Sequence, residues 1–146
     1  MNGQTPTIWK IRAARAGELP AVRLFYASVG YGGELAAGER VLIARAGGRI
    51  VGACRLCAEV EGLTLRGVYV APDCQRQGLG SALVADALRR AAGQPLYCIP
   101  FAYLRGFYAR AGFGEVLPAE APAYLAERLR IYREKLGLDV ILMSAP

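Results

Sequence analysis

The chain has 146 residues, 54% hydrophobic and 21% charged, with a formal net charge of +6 and no histidine. That length and apolar content predict one folded domain spanning residues 1–146, with a sizeable core, and exclude a disordered chain. No apolar run approaches the ~18 residues of a membrane span, residues 1–17 carry no apolar leader, and no dense Lys/Arg cluster or nucleic-acid-reading motif accompanies the charge. The expectation is a cytoplasmic protein with no membrane or nucleic-acid partner. Its positive charge, nearly all arginine, serves as solvated surface with a modest attraction for polyanions.

Residues 7–12, with Ile8, Trp9 and Ile11, read as an opening strand. Residues 18–29 read as a helix: Leu19, Val22, Tyr26 and Val29 share a face, Pro20 suits the first turn, and Gly30 is the stop. Tyr31-Gly32-Gly33 is loop, with room for a helical turn before Gly38. Residues 40–46 form a strand, Gly47-Gly48 a hairpin turn, and residues 49–60 the next strand. Taking Glu61-Gly62 as a two-residue turn places Arg55 opposite Val68 on the following strand, 63–70. A helix opens at Gly78 and Gly80 and stops at Gly93. Pro95 opens a short strand, 96–99, which Pro100 ends. Residues 101–111 form a helix closed by Gly112, and 113–117 a strand. Pro122 starts a helix with Leu125, Leu129, Tyr132 and Leu136 in one stripe and Gly137 as its stop, and residues 139–144 end the chain as a strand. Hairpin-linked strands followed by strand–helix–strand units predict an α/β fold with a mixed, mostly antiparallel sheet of about seven strands and about four helices.

The four cysteines are Cys54, Cys57, Cys74 and Cys98. Without an export signal they make no disulfide framework. Cys54 and Cys57 have a metal-like spacing, but residues i and i+3 of a strand point to opposite faces, and no His or second pair completes a site. Buried structural thiols and no metal are expected.

The stretch with the most chemistry runs from Val68 to Leu83. An alternating β-branched and aromatic strand meets a turn at Pro72 and Asp73. A helix then begins, with Leu79, Leu83 and Ala87, and Val84, Leu88 and Ala91, recurring at i, i+4. The first N–H groups of a helix have no internal partner, and its dipole is positive there. Gly78 and Gly80 let a bulky anion approach the main chain, while Gln75, Arg76 and Gln77 add side-chain donors. The string Val-x-Val-x-Pro-x-x-Gln-x-x-Gly-x-Gly resembles the acetyl-CoA pyrophosphate signature of the GNAT superfamily of N-acetyltransferases, whose Gln/Arg-x-x-Gly-x-Gly/Ala is met by Gln75, Gly78 and Gly80. The order of elements is also similar to the GNAT fold over roughly residues 7–143; the helix at 124–136 is the least typical part.

A second segment, Phe107-Tyr108-Ala109-Arg110-Ala111-Gly112-Phe113, is similar to the Phe/Leu-Tyr-x-x-x-Gly-Phe of many GNAT enzymes. The resemblance implies acetyl-CoA as cosubstrate and Tyr108 as general acid to the leaving thiolate. Proton transfer from a tyrosine of pKa ~10 to a thiolate of pKa ~8.5 is uphill by roughly 2 kcal/mol. Tyr108 would therefore act either as a hydrogen-bond donor or with a pKa lowered by its site. The resemblance also implies that the fourth and fifth strands splay apart. Main-chain groups of Val68, Tyr69 and Val70 would then bind pantetheine and polarise the thioester carbonyl, while Arg76, Gln77, Gly78, Leu79, Gly80 and Ser81 hold the pyrophosphate.

The chain departs from the family pattern in two ways. An Asn found in some members seven residues before the tyrosine is Phe101 here. No His exists, and no carboxylate lies on the strands flanking the site, so a general base is not identified; Glu59 and Glu61 are nearest in sequence. Acceptor selectivity would come from segments 31–39 and 118–137. In the second, Glu120, Glu127 and Glu134 nearly cancel Arg128, Arg130, Arg133 and Lys135. Tyr26, Tyr31 and Tyr124 either line a pocket or pack.

The implied function is acetyl transfer to a primary amine, small-molecule or peptide, by direct attack, in a monomer or homodimer. A covalent Cys route lacks an activating partner. A non-catalytic acyl-CoA-binding module is the alternative.

Overall fold

The computed structural model describes residues 8–36 and 38–146. Seven strands among them form one sheet: β1 Lys10–Ala13, β2 Arg40–Ala46, β3 Arg49–Glu59, β4 Gly62–Val70, β5 Leu96–Cys98, β6 Gly114–Glu115 and β7 Met143–Ala145. The sheet order is β1-β2-β3-β4-β5-β7-β6, with β4 and β5 parallel and the other neighbours antiparallel. Four α-helices accompany it: α1 Leu19–Ser28, α2 Leu79–Ala91, α3 Arg105–Arg110 and α4 Ala123–Glu134. None is long and apolar enough to cross a membrane.

Alternation along β3 assigns the two faces. Gly52 and Cys54 turn toward α2: a Cβ at Gly52 would touch Leu79 and Leu83, and the Cys54 thiol approaches the Leu83 carbonyl. Val22, Phe25, Leu42, Ile43, Leu83 and Val84 belong to the main core. Arg55 and Glu59 turn the other way, toward the loop after α1 and toward α4. Leu125 and Leu129 of α4 cover a second, smaller core with Val140 and Leu142.

Several boundaries differ from expectation. The opening strand begins at Lys10, with expected residue 7 outside the described residues. The β3–β4 turn sits on Val60-Glu61, since Glu59 already pairs with Gly62. Arg55 consequently faces Arg66, not Val68. The helix expected at 101–111 opens as a 3₁₀ turn, Ala102–Leu104, before α3. Expected strand 113–117 is reduced to β6, paired on one side with β7. The last strand starts later, with a lone bridge between Phe101 and Val140 before it. Leu136 falls beyond α4 and is 60% exposed, so it leaves the helix stripe.

Candidate functional site

β4 and β5 pair at only two positions, Leu63 with Leu96 and Thr64 with Tyr97. Beyond them the strands diverge, and the β5-facing edge of β4 has no strand partner among the described residues. Into this opening a cleft of about 830 Å³ is cut. Its walls are residues 64–70 of β4, the turn into α2, residues 98–101 after β5, α3, and side chains from α4.

Gly67 produces a bend in β4. The β3–β4 register shifts between Ala53 and Arg55, and Gly67 sits at φ +60°. A Cβ there would come within 3.0 Å of the Tyr26 hydroxyl and 3.1 Å of the Tyr31 ring, so a side chain would be strained and would press on both tyrosines. Tyr26 donates to the Gly67 carbonyl at 2.8 Å and fixes the bulge from α1. Val68, Tyr69 and Val70 follow it along the cleft wall.

After β4 the chain makes a 3₁₀ turn, Pro72–Cys74, tied to β3 by the Arg49–Asp73 ion pair. Arg76 then takes φ +63° and Gly78 φ +81°. A left-handed arginine is strained by roughly 1–2 kcal/mol, whereas Gly78 adopts that region freely. α2 begins with no side-chain cap, and its first internal bond runs from the Ala82 N–H to the Gly78 carbonyl at 3.0 Å. The amides of Leu79, Gly80 and Ser81 thus have no helical acceptor, and all three residues line the cleft with Gln75, Arg76 and Gly78. Two side chains behave differently from expectation. Gln75 donates to the Val70 carbonyl at 3.3 Å and braces the turn, and Gln77 lies outside the lining.

Tyr108 is 6% exposed and contributes to the same cleft, between Phe107 and Phe113, whose rings lie 4.9 and 5.6 Å from its own. Burial, followed by the fields of Cys98, Cys54 and Tyr69, raises its pKa well above the ordinary tyrosine value. Of the two roles open to it, this favours a neutral hydrogen-bond donor over a tyrosine with lowered pKa. Phe101 and Tyr103 stack at 5.8 Å on the cleft rim.

The loop after α1 and helix α4 also reach the cleft, through Tyr31, Arg128 and Tyr132. Arg55, 1% exposed, donates two hydrogen bonds to Glu39, one to the Tyr31 hydroxyl and one to the Glu34 carbonyl, which fastens the 31–39 loop to β3. Burial opposes ionisation of Glu39, but Arg55 outweighs it and holds that carboxyl below its ordinary pKa. Arg128 of α4 grips Glu59 through two bonds of 2.8 and 3.1 Å, and Thr64 donates to the same carboxylate. Glu59, though half-buried, is therefore held below the usual range by Arg128 and Thr64. It is engaged in structure, while Glu61 is exposed in the hairpin turn. Tyr31 lines the cleft; Tyr26 serves the bulge, and Tyr124 packs against Arg128 with its ring 5.6 Å from the guanidinium. Arg66 and Tyr132, 3.4 Å apart, complete this wall. Neither was expected at the site, because only the β3–β4 register and the docking of α4 bring them there.

All four thiols are free and buried. Burial pushes Cys54 up to about 12 and Cys57 to about 11, and raises Cys98 further, so these three are poor nucleophiles. Among the described residues no group of three His, Cys, Asp or Glu could hold a metal ion.

A family model described as the acetyltransferase (GNAT) domain matches residues 37–115, more than half of the chain. The chain belongs to the GNAT acetyltransferase family. Its mixed seven-stranded sheet with four helices is the GNAT fold, and it superimposes on solved structures of low identity. N-acetylglutamate synthase from Neisseria gonorrhoeae, complexed with coenzyme A and N-acetyl-glutamate, is 19% identical with a TM-score of 0.73; the match covers 97% of this chain but 35% of that one. An acyl-CoA N-acyltransferase from Pseudomonas aeruginosa is 22% identical at TM-score 0.70, over 96% of this chain and 99% of the other. The ribosomal-protein-S18-alanine N-acetyltransferase of Escherichia coli is 19% identical at TM-score 0.68, covering 95% and 94%. Comparison with curated protein sequences gave no match.

Proposed function

We propose that the protein transfers the acetyl group of acetyl-CoA to a primary amine by direct attack. The observation that carries this reading is the shared cleft: the uncapped start of α2 and Tyr108 line the same space beside the edge of β4 that has no strand partner among the described residues. Family membership supports the coenzyme, as do neighbours bound to coenzyme A, such as the N. gonorrhoeae synthase.

The donor set suits a pyrophosphate: amides 79–81 at a positive helix end, with Arg76 alongside. A Cβ at Gly80 would meet protein atoms only at ordinary contact distance, nearest Phe107 at 3.4 Å, so glycine there serves something other than internal packing. Acetyl-CoA supplies the acyl group as a thioester. Main-chain N–H groups of residues 68–70 are fixed by the sheet and polarise the carbonyl without reorganising. The neutral amine forms the N–C bond, the C–S bond breaks, and the sulfur accepts a hydrogen bond from Tyr108. The amine's surplus proton passes through ordered water to solvent, since Glu59 is already engaged. The thiolate, held by that hydrogen bond, takes its proton from solvent.

A thiol-release screen of amines against acetyl-CoA tests this. Turnover with some amine, lost in Tyr108→Phe, is expected. Coenzyme binding without thiol release for any amine would favour a non-catalytic module.

A further inference from the structure

Among the described residues the cleft is lined by four arginines, Arg66, Arg76, Arg110 and Arg128, and by no Asp or Glu. Arg76 belongs to the turn into α2, and Arg110 to α3, whose Phe107 packs against Gly80. Arg128 is neutralised by Glu59. Arg66 has no such partner: among the described residues its polar contact is the Tyr132 hydroxyl at 3.4 Å, and no carboxylate pairs with it. Glu59 lies within its electrostatic range, but the oxygens of that carboxylate are taken by Arg128 and Thr64. Arg66 also stands directly opposite Arg55 in the β3–β4 register, and like charges so placed destabilise a sheet. Glu39 relieves Arg55, while Arg66 has no ion-pair contact of its own among the described residues. A half-buried guanidinium with one long hydrogen bond keeps donors free for an anion that enters the cleft.

We infer that Arg66, with Tyr132, anchors a carboxylate on the acceptor, so that the acceptor is a small amine bearing a carboxylate, such as a free amino acid. The inference rests on the acetyltransferase reading for the amine and on the unpaired guanidinium for the acid. The anion is not the coenzyme's pyrophosphate, because Arg66 precedes Val68 on β4 while the anion-binding turn follows Val70. Two residues of strand separate Arg66 from Val68, roughly 6–7 Å, which an amino acid and one arginine side chain span together. A planar guanidinium beside a phenol can meet a carboxylate with two parallel bonds. Polyamines and other polycations are disfavoured by the same wall, which offers them no carboxylate. Pairing with Arg66 also removes the negative field that would otherwise keep the neighbouring amine protonated.

The test measures calorimetric binding of each standard amino acid, and of its carboxamide, to the protein loaded with coenzyme A. At least one amino acid should bind about 10- to 100-fold more tightly than its amide. Arg66→Gln should erase that preference while leaving coenzyme affinity unchanged, which also reports on folding. Arg66→Lys, which keeps the charge but not the fork, should retain part of it. Tripeptide amides whose single carboxylate is a first-position Asp or Glu side chain supply the second arm. If they outperform both the free amino acids and their own Asn or Gln counterparts, the carboxylate reading stands with a peptide as its source. Equal binding of acids and amides throughout, or a preference that survives Arg66→Gln, overturns the inference. A carboxylate preference without acetyl transfer supports the anchor and overturns the acetyltransferase reading; transfer to acids and amides alike does the reverse.

Discussion

The two halves of the cleft are built by different means. On the turn side, one continuous run from Val68 to Ser81 supplies main chain, a left-handed arginine and an uncapped helix end. On the other side, side chains from separate parts of the chain line the cleft: Tyr31 from a loop, Arg66 from β4, Arg128 and Tyr132 from α4; Arg55 with Glu39, and Glu59, hold Tyr31 and Arg128 from outside that lining. A site made of backbone depends on local conformation and tolerates most side-chain changes. A site made of paired side chains depends on register and docking, and a single substitution can redirect it. The proposed division of labour follows: a common coenzyme on the first side, a selected acceptor on the second.

The sharpest way to break the comparison lies where the halves meet. Tyr108→Phe should lower kcat by ~10²- to 10³-fold as the loss of one hydrogen-bond donor to the leaving sulfur, or up to ~10⁴-fold if it is a general acid, with little change in acetyl-CoA affinity, measured by thiol release and calorimetry. The ring remains between Phe107 and Phe113, so stability should hold. Full activity would make Tyr108 a packing residue.

Arg55→Met tests the side-chain half. It strands Glu39, which is nearly buried, and breaking such a pair costs about 3–5 kcal/mol. Glu39 sits on a loop that can swing toward water, so a loss near 3 kcal/mol is expected in urea denaturation. Acceptor KM should rise more than acetyl-CoA Kd does, because the 31–39 loop loses its fastening. An equal rise in both would mean the halves are not separable.

Gly80→Val probes the backbone half. At a hundredfold excess over its Kd, acetyl-CoA should stabilise the wild type by about 2.7 kcal/mol. The variant should lose that increment in a thermal-shift assay while its unliganded Tm moves little, since a first Cβ would meet Phe107 only at 3.4 Å. An unchanged ligand shift would remove the coenzyme from this turn.

Legibility in the sequence divides along the same line. The order of elements and the strand–turn–helix were readable because Gly, Pro and alternating residues report local conformation, and β2 matches residues 40–46 in full. The placement of residues 68–70, 78–81 and 108 around one cleft follows from that order. Arg66 was not readable. Placing the hairpin turn one residue late, on Glu61-Gly62, set Arg55 opposite Val68 and hid the Arg55–Arg66 pair, and the Gly67 bulge shifts the register again. The salt links of Glu39 and Glu59 are equally remote, joining residues 16 and 69 positions apart. The near-cancellation of charge within 118–137 was misleading for the same reason: Arg130 is matched locally by Glu127 and Glu134, but Arg128 finds its partner on β3.

The smallest expected effect concerns proton removal. An amine of pKa ~10.4 is neutral in only about one part in 2,500 at pH 7, a cost of roughly 4.6 kcal/mol, whereas an amine near ~7.8 costs about 1 kcal/mol. With no histidine in the chain and Glu59 held by Arg128 and Thr64, kcat/KM should climb with pH up to the pKa of the acceptor itself. It should show no inflection near 6.5, and Tyr108, raised by burial, should add no downturn before its ordinary value of ~10. Glu59→Gln and Glu61→Gln should each reduce kcat/KM less than about tenfold. Glu59 also carries a stability signature. Its folded pKa is depressed, so its contribution is present above the unfolded value of ~4.3 and fades as pH falls through the folded one. Glu59→Gln should therefore lower Tm at pH 7 and converge with wild type in acid. Rate profiles with two acceptors of different pKa decide the catalytic question. If both share one lower inflection and Glu59→Gln abolishes it, that carboxylate leaves Arg128 during turnover and acts as the base, and the side-chain half of the cleft does chemistry as well as selecting the acceptor.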